Sequence, residues 1–206
     1  MNSSKARSIT GVAARTLQPR RMIFISGRIS LDLSHTGGVR TEEAKAFEQL
    51  HEPQDFALWL SHSSLSLDVA PVSRHDLTAV YELRDAIWYA AHAVQSGVPV
   101  DGSDRDIINK YAARAPIIPS IDQCDTLVWA RPMTVAAILS YIARDAIDLL
   151  GSETKHKLRE CANSTCPLLF VDSSRPGKRR WCSMERCGSI TKTARFRNKI
   201  QSSSAS

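Results

Sequence analysis

Four of the five cysteines in this 206-residue chain fall within one short stretch, spaced Cys161-x4-Cys166-x15-Cys182-x4-Cys187. Two close pairs separated by a spacer supply two half-sites for a tetrahedral ion. Between the first two lies "ANST", whose turn-forming residues would aim both sulfurs inward. The same residues could form disulfides, but nothing in the chain places it in an oxidising compartment. A redox centre usually carries a C-x2-C pair, and neither pair has that spacing. An iron–sulfur cluster also uses thiolates, and the spacing alone leaves it open. The favoured reading is one structural Zn2+ on Cys161, Cys166, Cys182 and Cys187. Four thiolates close its coordination sphere and leave no position for a substrate water.

Cations crowd this segment. Lys178, Arg179 and Arg180 lead into Cys182, and Lys192, Arg195, Arg197 and Lys199 follow Cys187. On a helix, positions 192, 195 and 199 share one face. Such a stripe can lie along phosphates, releasing counterions. It can also offset the −2 charge of a four-thiolate zinc centre, or dock on an acidic surface. The seven residues are the candidate nucleic-acid contacts, with Arg179, Arg180 and Lys192 first for phosphate. DNA is the expected partner, and a second copy of the chain or an acidic protein the alternative.

The net charge of +6 hides a division along the chain. Residues 1–21 carry +5, residues 22–154 carry −8 (10 basic against 18 acidic side chains), and residues 155–206 carry +9. Any attraction to a polyanion therefore belongs to the last fifty or so residues. With 43% hydrophobic and 23% charged residues, the chain reads as soluble and globular. It has neither the apolar run of a membrane span nor a secretory leader, so the expected compartment is the cytoplasm.

The elements that must position the cysteines follow from local pattern. "LLFVD" and "KRRWC" are strand-like and flank the turn "SSRPG", which predicts a hairpin returning the chain to the metal. "SMERCGSITKTARFRNKI" then predicts a helix with ligands at its start. Knuckle, hairpin and helix describe a treble-clef-like finger over residues 161–200. Having little apolar content, it should fold only with metal. A charged connector spans 152–160, short enough to hold the finger against what precedes it.

Residues 22–151 predict a mainly α domain of about five helices with a minor β-hairpin. "SRHDLTAVYELRDAIWYAAHAVQSG" is its clearest helix, with Ser73 as N-cap, Asp76 in capping-box position and Gly97 at the end. "RPMTVAAILSYIARDAIDLLG" is a second, with Pro132 in its first turn and Gly151 just past its end. "DGSDRDIINKYAARAP" is a shorter helix, and helical pattern also runs from Thr41, broken at Pro53. "IIPSIDQCDTLVWA" has hairpin composition. Met22 to Ser26 suits a short strand, and Ile29, Leu31 and Leu33 fit a strand or a short helix. Residues 1–21 and 201–206 read as disordered tails.

Arg28, Asp32, His35 and Thr36 form a polar group in an otherwise apolar stretch. They are a candidate ligand pocket, although capping of local backbone is the favoured role. His75, His92 and His156 read as surface residues, and Cys124 as a small buried hydrophobe. Trp59, Trp88 and Trp129 read as core, and Trp181 as packing hairpin against helix. No nucleophile–base order, phosphate-cradling glycine loop or paired acid carboxylates stands out, so no enzyme is expected.

The segment "RECANSTCPLLFVDSSRPGKRRWCSMERCGSITKTARFRNK" closely resembles the CGNR-type zinc finger at the C-terminus of a family of bacterial proteins. "GRISLDLSHT", "DLTAVYELRDAIW" and "YIARDAIDLL" resemble its usual N-terminal partner, the ABATE domain, in the expected order. The resemblance covers about residues 22–200. It implies zinc binding through the four cysteines and a role in stress-related transcription regulation. The chain departs from the family at two points. Ser189-Ile190 follow Cys187-Gly188 where the signature has Asn-Arg, and His35-Thr36 stand where the family has Asn-Thr.

Overall fold

The computed structural model describes residues 22–37, 48–67, 69, 71–131, 133–189, 191 and 193. Among the described residues five α-helices make the body: α1 Ile29–Ser34, α2 Pro53–His62, α3 Arg74–Gln95, α4 Gly102–Ala112 and α5 Val135–Gly151. The fold is mainly α, with β-structure confined to two small hairpins among the described residues.

The helix boundaries follow capping chemistry. Ser73 accepts the Asp76 N–H at 3.1 Å and Asp76 returns the contact to the Ser73 N–H at 2.9 Å, closing the expected capping box of α3. Pro53, expected to break a helix, instead starts α2 behind a second reciprocal box formed by Glu52 and Asp55. Proline suits a first turn because that N–H lacks an intrahelical partner. Thr134 caps α5 through the Ala137 N–H at 3.2 Å. Gly151 is its last helical residue rather than the first beyond it. Pro132 and the helical pattern of residues 41–47 lie outside the described residues.

The α3, α4 and α5 helices pack together, with α1 laid across α3 and α5. Phe56 stacks on Trp59 at 5.8 Å between centroids, and Phe24 tilts against the same indole at 5.7 Å. Around them lie Leu60, Leu83, Ile87, Ile138 and Ile142, all essentially without solvent contact. Each such side chain contributes about 1.5–3 kcal/mol by leaving water. Between α4 and α5, strands β1 Pro119–Ile121 and β2 Leu127–Trp129 form the expected hairpin. Cys124 sits at its turn and is exposed, not buried. Its N–H donates to Asp122 Oδ1 at 2.8 Å within a turn too tight to face the core.

After α5 the connector forms a 3-10 turn, Glu153–Lys157, and then strand β3 Leu158–Glu160. β3 pairs antiparallel with β4, Leu169–Val171, setting Leu158 opposite Val171 and Arg159 opposite Phe170. The predicted hairpin partner, residues 178–182, adopts no strand. It meets the knuckle through the Ala162 N–H to Arg180 carbonyl bond, 2.8 Å. The loop bearing the first two cysteines is thus the connection between β3 and β4.

The finger is seated on the body. Leu158, Leu169 and Val171 of the hairpin share a buried cluster with Leu31 of α1, Ala91 of α3 and Leu149 of α5. Residues 22–26, which suit a short strand by sequence, form none. They run beside β4, where the Val171 N–H donates to the Ser26 carbonyl at 2.8 Å, and they send Ile23 into the finger's own core. The body thus supplies the apolar face against which Leu158, Leu169 and Val171 are buried.

Candidate metal centre and its basic surface

Each cysteine is delivered by a short turn. Cys161 follows β3 directly, its N–H bonded to the Leu168 carbonyl at 3.0 Å. Asn163 closes the first turn by accepting the Cys166 N–H on its carbonyl at 2.8 Å. Ser183 caps the π-helical turn Met184–Gly188, its hydroxyl accepting the N–H groups of Glu185 (3.1 Å) and Arg186 (3.3 Å). Its carbonyl accepts the Cys187 N–H at 3.0 Å. Helical contacts continue where described, Thr191 Oγ1 donating to the Cys187 carbonyl and Thr193 Oγ1 to that of Ser189. Gly188 leaves room for its neighbours: a Cβ there would stand 2.6 Å from the Met184 sulfur and 3.1 Å from the Trp181 ring.

These turns bring the four sulfurs within 4.8 Å of one another. Cys166 Sγ lies 3.7 Å from Cys182 Sγ, which lies 3.5 Å from Cys187 Sγ. A tetrahedral ion with sulfur ligands at about 2.3 Å holds its sulfurs about 3.8 Å apart. A disulfide would need about 2 Å, and all five cysteines are free. Electrostatics agree with a cation. The contact with Cys182 draws the Cys166 thiol down to about 5, whereas that same contact and burial push Cys182 up, and burial pushes Cys187 up. Four adjacent thiols cannot all ionise unless positive charge sits among them. The Cys182 N–H also points at Cys161 Sγ, 3.4 Å away, and would steady a thiolate there. The donor set fits Zn2+, with Cys161, Cys182 and Cys187 buried and Cys166 half-buried.

Two family profiles match the chain. The ABATE profile, described as "putative stress-induced transcription regulator", matches residues 27–153. The chain belongs to the ABATE family. Behind its ABATE domain, the CGNR zinc finger profile matches residues 157–199 and takes in all four cysteines. The finger therefore holds one structural zinc. No curated protein matches the chain.

The cations around the centre divide in two. Lys178 and Arg180 are exposed, Arg180 lying over the Trp181 ring at 5.2 Å. Arg179, expected at the phosphate surface, turns inward. Its Nε donates to the Trp181 carbonyl at 2.9 Å, and its Nη2 to the carbonyls of Ile25 (3.1 Å) and Cys182. With those donors engaged, it is a brace between the N-terminal segment and the metal loop rather than a free phosphate contact. Lys192, Arg195, Arg197 and Lys199 lie outside the described residues.

In the ABATE domain, the four candidate pocket residues turn to different partners. Arg28 reaches α5, pairing with Asp145 at 2.9 Å and Asp148 at 2.7 Å. Asp32 accepts the N–H groups of Ile25 and Ser26, both at 3.1 Å, and thereby holds the strip that feeds Ile23 into the finger. Burial outweighs those bonds and raises its carboxyl to about 6. Thr36 Oγ1 donates to the Leu33 carbonyl at 2.7 Å. His35 differs: it is 2% exposed and neither ring nitrogen has a hydrogen-bond partner among the described residues. Burial, with smaller contributions from His92 and Arg186, lowers it to about 3. His92, read from sequence as a surface residue, tilts against Trp88 at 4.3 Å with its own Nε2 buried and without a partner among the described residues. Its i+4 spacing from Trp88 was the available signal. Arg84 of α3 has its guanidinium buried and held by both Glu48 oxygens at 2.8 Å.

Proposed function

We propose that this zinc-binding ABATE protein is a DNA-binding transcriptional regulator. Its finger contacts the phosphate backbone, and its helical domain senses a signal or mediates assembly. The supporting observation is the exposed pair Lys178 and Arg180 beside the zinc loop, within a C-terminal segment of net charge +9. Phosphate contacts need only cations and polar donors on an accessible face, and they position a protein on duplex DNA without reading sequence. Zinc here is structural, since four thiolates close its coordination sphere. The reading is therefore of a non-enzymatic protein. No helix among the described residues is long and apolar enough to cross a membrane. A cytoplasmic location belongs to the same proposal.

A second reading, a zinc-stabilised protein-interaction module, draws on the β1–β2 hairpin. It turns Ile121 and Leu127 to solvent at 74% and 64% exposure. The two readings separate in one experiment. Zinc-loaded protein is titrated onto a labelled duplex at several salt concentrations. Binding that weakens steeply with salt and falls in Lys178→Ala/Arg180→Ala supports the regulator. Absence of binding at low salt, with nuclease-resistant capture of a protein partner, supports the module.

A further inference from the structure

The finger carries a second cationic surface, made by its hairpin rather than by its cysteine loops. The 3-10 turn ends at Lys157, β3 presents Arg159 outward, and the turn after β4 carries Ser174, Arg175 and Gly177. The Asp172 N–H to Lys157 carbonyl bond, 2.9 Å, ties the two segments together. They enclose an open groove of about 430 Å³. Three of its lining side chains are cationic and one, Asp172, is acidic.

The carboxylate is committed to shaping the groove. Asp172 Oδ1 accepts the Ser174 N–H at 3.0 Å and hydroxyl at 2.6 Å, and Oδ2 accepts the Arg179 N–H at 2.9 Å. Three donors aimed at it, with the Ser174 hydroxyl foremost, hold its carboxyl below the usual range. Arg159 is pre-aimed. Its Nη1 donates to the carbonyls of His156 (2.7 Å) and Leu158 (2.9 Å), which fixes the guanidinium plane. Its Nε and Nη2 have no acceptor among the described residues. An arginine held by one nitrogen offers a rigid fork suited to phosphate oxygens.

We infer that this groove seats the backbone phosphates of duplex DNA, with Lys157, Arg159 and Arg175 as the contacts. The inference rests on the regulator reading and moves the main phosphate contacts from the cysteine loops to the hairpin face. Continuity supports it, since the groove wall ends at Gly177 and the chain goes directly to exposed Lys178. Chemistry favours DNA over a protein partner. Stable protein interfaces centre on buried apolar or aromatic anchors, and the groove offers only Pro176. Phosphate contact needs no such anchor.

The test uses the full zinc-loaded chain and a labelled duplex of mixed sequence, followed by anisotropy from low to moderate salt. The variant is Lys157→Gln/Arg175→Gln, because neither side chain holds another group among the described residues. Each lost phosphate contact should lower the slope of log affinity against log salt by about 0.9. The double variant is therefore expected to lose about 2 from that slope and about tenfold in affinity, with zinc content and helicity unchanged. Wild-type affinity and slope in this variant, with loss only in Lys178→Ala/Arg180→Ala, would overturn the groove and leave the regulator reading standing. Failure of the wild-type chain to bind any duplex would overturn both. Displacement of DNA by polyglutamate that matches duplex DNA in affinity would assign the groove to acidic proteins instead.

Discussion

The Arg179 guanidinium carbon lies 4.3 Å from the centroid of the Phe170 ring, inside the finger rather than on its surface. Phe170 belongs to β4 and is fully buried beside Cys161, Cys182 and Cys187. The same guanidinium reaches the carbonyls of Ile25, Trp181 and Cys182. One side chain thus joins the strip leading into the body, the sheet and the metal loop.

Arg179→Ala should therefore loosen the finger rather than weaken DNA contact selectively. Charged hydrogen bonds contribute about 1.5–3 kcal/mol each and a desolvated cation–π contact up to about 2 kcal/mol. A loss of about 2–4 kcal/mol is expected, read as a lower melting temperature and faster zinc release to a chelator. Arg179→Lys should recover little, because an ammonium cannot reproduce the planar fork. Arg180→Ala, at an exposed site, should leave both readouts within about 0.5 kcal/mol of wild type.

Acid should destabilise the ABATE domain, and His35 should account for a definable share. Its pKa is about 3 in the folded chain against a usual 6.5. The unfolded chain therefore binds the extra proton between those values. Stability is fully present above about pH 6.5 and is lost as pH falls toward 3, by about 1.4 kcal/mol per unit. His92, lowered to about 4, acts in the same direction. Asp32, raised to about 6 from 3.8, acts oppositely, its contribution being present below 3.8 and lost as pH rises through 6. Two imidazoles outweigh one carboxyl between about pH 4 and 6. His35→Leu should flatten the curve by about one such slope. At pH 7 it should match or exceed wild-type stability, since no hydrogen bond to the described residues is lost. An unchanged pH profile in that variant would contradict the assignment.

Cys124 should be the reactive thiol of the native, zinc-loaded protein. It is exposed at the β1–β2 turn, whereas Cys161, Cys182 and Cys187 are buried and Cys166 half-buried around the metal. An electrophilic thiol reagent should modify one thiol rapidly and the remaining four only after chelation. Cys124→Ser should abolish the fast phase without altering zinc content. Rapid modification of several thiols before chelation is the opposing result.

The parts of this architecture that depend on local chemistry were readable from sequence. The α3 start at Ser73, the β1–β2 hairpin and the cysteine quartet each declare themselves within a few residues. What escaped depends on distant partners. Nothing near "LLFV" says that its strand partner precedes Cys161 instead of following Gly177. Arg179 and Arg180 are adjacent cations, and only the placement of Ile25 and Phe170 turns one inward. Cys124 looked like core because small apolar residues usually are, but the tight turn at Asp122 overrides that tendency. His35 stands among polar neighbours in sequence, yet its distinguishing property is a buried ring without a hydrogen-bond partner among the described residues, which no sequence pattern displays.

Whether zinc holds the finger together is decided by the metal content of the reduced 206-residue chain, measured together with hydrogen exchange over residues 158–188. One zinc per chain is expected, lost in Cys182→Ser with a simultaneous collapse of protection at β3, β4 and the Met184–Gly188 turn while α3 and α5 stay protected. A metal-free chain in which residues 158–188 remain as protected as in the zinc-loaded form would contradict it.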